Sequence, residues 1–168
     1  MINLKKGQII SESFKYVLVG FMSIVILIFG YKTFNIISEK ACRTDIAKFE
    51  IDLHNIDQSV RFGAKELQSY NAPCNVDRVY FFDLTKSINP EDFKDVPLIK
   101  DSLKSGSDKN VFLVKEGSVK DSFNAGNLDI EDGHYICFLS TFGKISFFVE
   151  NIGVSARITV PSNQPVCT

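Results

Sequence analysis

Four cysteines are the residues of this sequence whose side chains most clearly indicate chemistry. Cys42, Cys74, Cys137 and Cys167 are separated by 32, 63 and 30 residues. They include no Cys-x-x-Cys pair, and the gaps match no zinc-site spacing, so a metal site is the less favoured use of the thiols. Disulfides are expected if the cysteines lie outside the cytoplasm, and free buried thiols are the alternative. Of the three possible pairings, Cys42 with Cys74 and Cys137 with Cys167 is one.

The remaining polar residues form no recognisable catalytic pattern. The two histidines, His54 and His134, belong to no His-Glu-x-x-His motif, and the sequence has no Gly-x-Ser-x-Gly motif or glycine-rich phosphate loop. Both histidines are expected at the surface. The acidic stretch 129–133 suggests a calcium site but lacks the ligand spacing of an EF-hand, so a solvated turn is expected. We therefore expect no enzymatic activity, no cofactor and no metal.

Composition and charge exclude two broad classes of protein. The 168 residues suffice for one domain and an appendage. Lys and Arg number 19 against 20 Asp and Glu, so the net charge of −1 provides no basic field for binding nucleic acid. Hydrophobic residues make up 45% of the chain and charged residues 23%, which excludes disorder throughout.

One segment differs sharply from the rest of the chain. Residues 16–31 are sixteen consecutive uncharged positions between Lys15 and Lys32, and they are predominantly apolar. About 20 apolar residues are needed to span a bilayer as a helix, and snorkelling lysines and further apolar residues at 33–37 supply the missing length. Because the run lacks the polar stripe of a soluble core helix, it predicts a transmembrane helix.

Three kinds of membrane segment are possible this close to the N-terminus. A cleaved secretory signal needs a small-x-small site, which residues 31–33 do not provide. A lipoprotein signal ending at Cys42 would need small uncharged residues at positions 39 and 40, which are Glu and Lys. A retained anchor remains. Residues 1–15 carry a charge of +2, from three lysines and one glutamate, so the N-terminus is expected in the cytoplasm and the bulk of the chain outside, at the cell surface.

The residues before the apolar run form a more specific pattern than an anchor requires. Lys5, Lys6, Gly7 and Gln8 are followed by Glu12, the fifth residue counted from Gln8. This pattern resembles the class III signal peptide of archaeal type IV pilins, which a prepilin peptidase cuts at the cytoplasmic face of the membrane. The resemblance covers about the first 35 residues and implies cleavage between Gly7 and Gln8, with the hydrophobic helix retained. A glycine allows close approach to the backbone, and the lysines hold the leader in the cytoplasm.

The resemblance also implies a role for Glu12. In pilin-like filaments the N-terminal helices bundle into an apolar core, where a carboxylate is costly unless it meets a positive partner. The family's candidate partner is the amine of a neighbouring subunit, here at Gln8, and Glu12 would then set the register of assembly. The alternative is a local pair between Glu12 and Lys15, three positions apart on one helix face.

Beyond the membrane the apolar spacing changes. Intervals of three and four predict an amphipathic helix that ends near Gly63. Further along, 65–70 and 78–83 are predicted to form a hairpin, and five strands between 111 and 160 an antiparallel meander. A short helix is expected over 97–105. The residues expected to face the core are Ile46, Phe49, Leu53, Ile56 and Val60 of the first helix and Leu98, Ile99 and Leu103 of the second.

Together these patterns predict an α+β fold, in which a long N-terminal transmembrane and amphipathic helix packs on a small antiparallel β-sheet domain. The expected regions are a leader peptide (1–7), a transmembrane helix (8–37), a membrane-proximal amphipathic helix (38–62) and an extracytoplasmic β-rich domain (63–168). The expected function is that of a type IV pilin-like structural protein, associated through its N-terminal helix with its own copies or other pilin-like subunits. The alternative is an uncleaved single-pass anchor whose β-domain binds an envelope or surface ligand.

Overall fold

The computed structural model describes residues 5–56, 60–131 and 133–167, except for the side chains of 5–13 and Asn35. The chain divides into two units, Met1–Ala41 and Cys42–Thr168. The expected fold class, a long N-terminal apolar helix with a domain of small antiparallel sheets, is confirmed. The second unit is called the domain below.

Helix α1 (Lys5–His54) is continuous over 50 residues. It includes the expected transmembrane helix and most of the expected membrane-proximal helix. Gly63, expected near the end of this helix, instead lies in the turn before the first strand. Its φ of +72° is a conformation that glycine adopts without steric cost. Phe62 already forms an isolated bridge with Asn151 of the domain.

The described part of the domain contains eight strands in two sheets of four. The strands are β1 (Lys65–Asn71), β2 (Arg78–Phe82), β3 (Val111–Lys115), β4 (Ser118–Phe123), β5 (Leu128–Ile130), β6 (Tyr135–Leu139), β7 (Lys144–Asn151) and β8 (Ala156–Thr159). The first sheet has the order β1-β7-β8-β5 and the second β4-β3-β2-β6. All pairs are antiparallel except β5 with β8.

The strand pairings differ from the predicted ones. The predicted hairpin of 65–70 with 78–83 is wrong, because β1 pairs with β7 while β2 lies in the other sheet between β3 and β6. The predicted meander over 111–160 is wrong as one sheet, since its strands are divided between the two sheets, although β3 with β4 and β7 with β8 pair antiparallel as predicted. Local propensity locates a strand, but its partner depends on burial across long sequence separations.

The two sheets pack face to face through aromatic side chains. Phe147 of the first sheet contacts Phe81 and Phe138 of the second, with ring centroids 5.3 and 5.4 Å apart. The last turns of α1 and the residues just after it add four side chains to this core, spaced by three and four residues as the sequence predicted. These are Ile46, Phe49, Leu53 and Ile56, with exposed fractions of 9% or less.

A second, smaller core covers the other face of the second sheet. Helix α2 (Pro97–Lys104) and the short 3-10 helix before it (Pro90–Phe93) pack there, with Phe93, Val96 and Ile99 against Tyr80, Phe82 and Phe112. The predicted short helix is confirmed, and Ile99 is fully buried. The expectation that Leu98 faces the core is wrong: it is 55% exposed, because adjacent helical residues point about 100° apart.

The C-terminal segment returns to the edge of the second sheet. The N–H of Leu139 donates to the carbonyl of Pro165 at 3.0 Å, and the N–H of Cys167 donates to the carbonyl of Cys137 at 3.0 Å. The Gln164 side chain also donates to the Leu139 carbonyl at 2.7 Å. This segment therefore covers the edge of β6, where unpaired backbone groups would otherwise be exposed.

Candidate functional site

The first candidate functional feature is the apolar part of α1. All its large apolar side chains between Phe14 and Ile37, except Val25, are 50 to 78% exposed. Among the described residues, α1 is the one helix long and apolar enough to cross a membrane. The Ser23 hydroxyl donates to the Val19 carbonyl at 2.8 Å, so this polar group is satisfied within the helix. A surface of this kind requires lipid or other apolar helices around it.

The domain part of α1 has the opposite character. Phe49 is 3% exposed and packs edge-on against Tyr70 and Phe123, with ring centroids 5.8 and 6.1 Å away. Asp45 and Asp52 lie on the exposed side of the same segment. The amphipathic pattern therefore fixes which face of residues 42–54 is inside the domain.

The four cysteines form two disulfides, Cys42–Cys74 and Cys137–Cys167, which is one of the three pairings that the sequence left open. The first joins α1 to the 3-10 helix Pro73–Asn75 after β1, and the second joins the C-terminal segment to β6. Closed loops of about 30 residues stabilise a fold by roughly 3 to 4 kcal/mol each. Two such bonds indicate an oxidising, extracytoplasmic compartment.

The residues that resemble a pilin signal lie at the start of α1. The helical backbone begins at Lys5 and includes Lys6, Gly7, Gln8 and Glu12. Residues 1–4 and the side chains of 5–13 lie outside the described residues, so the role of Glu12 stays a prediction. A peptidase that requires an extended substrate would first have to unwind the terminal turns of this helix, where the first N–H groups have no intrahelical partner.

A cavity of about 320 Å³ lies beside the domain part of α1. It is lined by Asp45, Lys48 and Asp52 of the helix and by residues 69–73 of β1 and the following turn. Burial, and secondly the negative charge of Asp52, raise the pKa of Tyr70 to about 12. At neutral pH the Tyr70 hydroxyl is therefore a hydrogen-bond donor rather than a base.

A larger open cavity of about 460 Å³ lies between residues 92–96, at the end of the 3-10 helix Pro90–Phe93 and just after it, and the C-terminal segment. Tyr80, Phe93 and Tyr135 supply aromatic walls, and the Cys137–Cys167 disulfide lines it as well. Arg78, Asp92 and Asp95 add charged groups. Aromatic surfaces combined with a few polar groups are typical of small-ligand sites.

An ion-pair cluster occupies the acidic stretch that had suggested calcium. Lys86 Nζ lies 2.9 Å from Asp83 Oδ2 and 3.2 Å from Asp129 Oδ1, and it also donates to two backbone carbonyls of 130–133. Arg157 Nε donates to Asp129 Oδ2 at 2.7 Å, and hydrogen bonds from Arg157 and Lys86 lower the pKa of Asp129. The expected solvated turn is therefore wrong for Asp129. Sequence reasoning missed Lys86, since 43 residues separate it from Asp129.

The histidines show no sign of a shared site. His54 and His134 are both exposed, as expected. Among the side chains that the structure describes, no group of three or more from His, Cys, Asp or Glu could hold a metal ion. No protein-family model matches the chain, and comparisons with curated proteins and with solved structures also gave no match.

Proposed function

We propose that the chain is a type IV pilin-like structural protein, processed after Gly7 and assembled into, or associated with, a cell-surface filament or pilus-like machine. The observation that carries this proposal is the exposure of the large apolar side chains from Phe14 to Ile37, all but Val25. Such a surface is accommodated by lipid and can also pack in a bundle of similar helices. A pilin-like subunit uses one surface for both environments, first as an anchor and then as the filament core.

The proposed topology places the N-terminus in the cytoplasm and the domain outside the cell. Lys5, Lys6 and Lys15 precede the apolar run, and basic residues favour the cytoplasmic side. The two disulfides support an extracytoplasmic domain, because thiols in the cytoplasm are kept reduced. In this topology Gly7 and Gln8 face the compartment in which a prepilin peptidase would act.

Glu12 is proposed to register one subunit against the next. After cleavage, the new amine at Gln8 and the carboxylate of Glu12 are four residues apart, about one helical turn. An unpaired carboxylate inside an apolar bundle costs several kcal/mol, so pairing with a neighbour's amine selects one axial position. This role needs no catalytic group, and we propose none.

A second function is favoured by the cavity with the Tyr80, Phe93 and Tyr135 walls and by the helical backbone at Gly7 and Gln8. In that alternative the leader is never removed, and the chain is a monomeric anchor. The domain then binds an envelope or surface ligand in the cavity. The two functions differ in whether the first seven residues remain attached.

The intact mass and N-terminal sequence of the protein from its native membranes test the proposal directly. A chain that begins at Gln8 identifies a prepilin peptidase substrate. A chain that still carries Met1 or Ile2 contradicts processing and favours the uncleaved anchor. The Gly7→Val variant is the matched control, because it should keep the leader if the cleavage is real.

Assembly is tested by Glu12→Ala, with Glu50→Ala as the control on the same helix. Glu50 is exposed in the domain part of α1, so its replacement should leave filaments unchanged. Glu12→Ala should abolish sheared surface filaments while the protein remains in the membrane fraction. Normal filaments from Glu12→Ala would refute the registration role.

A further inference from the structure

The turn between β6 and β7 carries the most exposed large apolar side chain among the described residues. Phe142 is 100% exposed. Thr141 and Lys144 exchange backbone hydrogen bonds of 2.8 and 3.0 Å across the turn. Phe142 and Gly143 are therefore the two tip residues of a tight hairpin, and the exposed Lys144 follows them directly.

Phe142 is unfavourable at this position in two ways. Its φ is +51° and that of Gly143 is +72°, the geometry of a turn that prefers Asn, Asp or Gly at both tip positions. A bulky residue with positive φ is strained, and an aromatic ring wholly in water adds nothing to packing. The isolated domain gains nothing from Phe142, so any benefit must come from something outside it.

This hairpin tip lies at the end of the domain where α1 enters it. The Ala72 N–H, just after β1, donates to the Gly143 carbonyl at 2.8 Å. Two residues later, Cys74 is joined by a disulfide to Cys42, the first residue of the domain. Phe142 is therefore near the start of the domain part of α1.

The hairpin between β7 and β8 marks the opposite end of the domain. Its tip residue Val154 is 82% exposed. Val154 lines a cavity of about 210 Å³ together with His54, the last residue of α1. The two ends of β7 thus correspond to the entry and the exit of α1, and each end carries an exposed apolar tip.

Covalent connection keeps the entry end close to the anchor. Cys42 is five residues beyond Ile37, where the run of exposed apolar side chains that begins at Phe14 ends. Five residues reach at most about 18 Å even when fully extended. A connection of this length allows the hairpin tip with Phe142 to reach the headgroup layer.

We propose that the Phe142 hairpin is a membrane-contact site, in which the ring enters the interfacial layer of the bilayer that anchors the chain. Lys144 lies beside it and suits the anionic headgroups of that layer. Apolar rings inserted into the headgroup and acyl boundary, with lysines next to them, are the pattern of interfacial binding. The inference rests on the membrane anchor of the proposed function and applies to the subunit before assembly.

The chain contains no Trp, so a single introduced Trp is a specific fluorescent probe. The full chain with Phe142→Trp is reconstituted into vesicles of mixed zwitterionic and anionic phospholipids, with and without bromine on the acyl chains. Val154→Trp, at the other hairpin tip, is the matched control. The Phe142→Trp emission should be blue-shifted and largely quenched by the brominated lipid, whereas the Val154→Trp emission should resemble that of Trp in water and stay unquenched.

Flotation of the same vesicles distinguishes a failure of the membrane anchor from a failure of the contact site. If the protein floats but the Phe142→Trp emission is not quenched, the membrane-contact site is refuted while the anchor stands. If the protein does not float, the anchor and the contact site both fail.

Equal quenching of both variants would indicate nonspecific collapse onto the bilayer. A blue shift that depends on protein density, without quenching, would indicate contact with a second copy of the chain. Either result overturns the proposal. Mass measurement of both disulfides confirms that the variants are folded.

Discussion

The two parts of α1 share one secondary structure and differ in almost everything else. In residues 14–37 the large apolar side chains are exposed on all sides of the helix, except Val25, whereas in residues 42–54 they lie on one face and are buried in the domain, except Ile51. The backbone hydrogen bonds of a helix form in either environment, so they cannot cause the difference. The spacing of apolar residues determines it: a continuous run suits a uniform apolar medium, and intervals of three and four suit a one-sided core.

A pair of phenylalanines provides the strongest test of this comparison. Phe49→Ala should destabilise the domain by about 3 to 5 kcal/mol, because it leaves a cavity beside Tyr70 and Phe123. Phe29→Ala removes the same group from a side chain that is 67% exposed, and it should leave the unfolding free energy of the domain unchanged. Denaturant titration of both variants in detergent measures the two effects. Equal losses would mean that the two parts of α1 are not distinct.

The disulfides sharpen the comparison at the boundary between the two parts. Removing Cys42–Cys74 by replacing both cysteines with Ala should cost about 3 to 4 kcal/mol, because a loop of 32 residues is no longer closed in the unfolded chain. Removing Cys137–Cys167 opens a loop of 30 residues and should cost nearly the same. Only the first change should speed amide exchange in residues 43–54. Similar exchange in both variants would show that the first disulfide does not hold α1 to the domain.

The contact between α1 and Tyr70 should make the stability of the domain depend on pH in the alkaline range. The pKa of Tyr70 rises from 10.0 to about 12 on folding, through burial and then the charge of Asp52. The folded state therefore holds this proton more tightly, and the associated stability is present below pH 10 and lost as the pH rises toward 12. Tyr70→Phe should remove this alkaline loss, which is on the order of 1 kcal/mol for a partly solvated hydroxyl. Identical profiles for wild type and variant between pH 9 and 12 would contradict the assignment.

The smallest effect concerns the apolar surface outside α1. Phe142→Asn should stabilise the domain by about 0.5 to 1 kcal/mol, because Asn is favoured at a tip position with positive φ. Val154→Asn, at a tip residue whose φ is not positive, should give no comparable gain. Thermal unfolding of both variants measures the difference. A destabilised Phe142→Asn variant would mean that the ring supports the fold after all.

The sequence predicted α1 and its core face well because both depend on local spacing. Ile46, Phe49 and Leu53 lie three and four residues apart, and a helix places such residues on one side whatever they pack against. Most strands were located for a similar reason: β2 and β3 are apolar runs between turn residues, whereas the three-residue strand β5 was not predicted. Which strands pair was not predictable, since β1 pairs with β7 across more than 70 residues.

The candidate sites also divide into features that the local sequence predicts and features that depend on residues distant in sequence. The cysteines were recognised by type, yet their pairing required the turn at Pro73–Asn75, in which Cys74 has φ +56°. The site at Lys86 could not be anticipated, because nothing near it in sequence indicates that β5 lies alongside. Leu98 was predicted on the wrong side of its helix. Adjacent helical residues point in different directions, so an error of one residue changes which side chain faces the core.

The Cys42–Cys74 bond also determines how tension would pass through the molecule. A pull on the domain from the membrane side reaches Cys42 first and crosses the disulfide to Cys74, four residues before β2, an inner strand of the second sheet. The chain between the two cysteines lies outside this load path. Without the bond, the same pull could draw out about 110 Å of chain before it loaded β2. The disulfide makes the membrane connection short and inextensible.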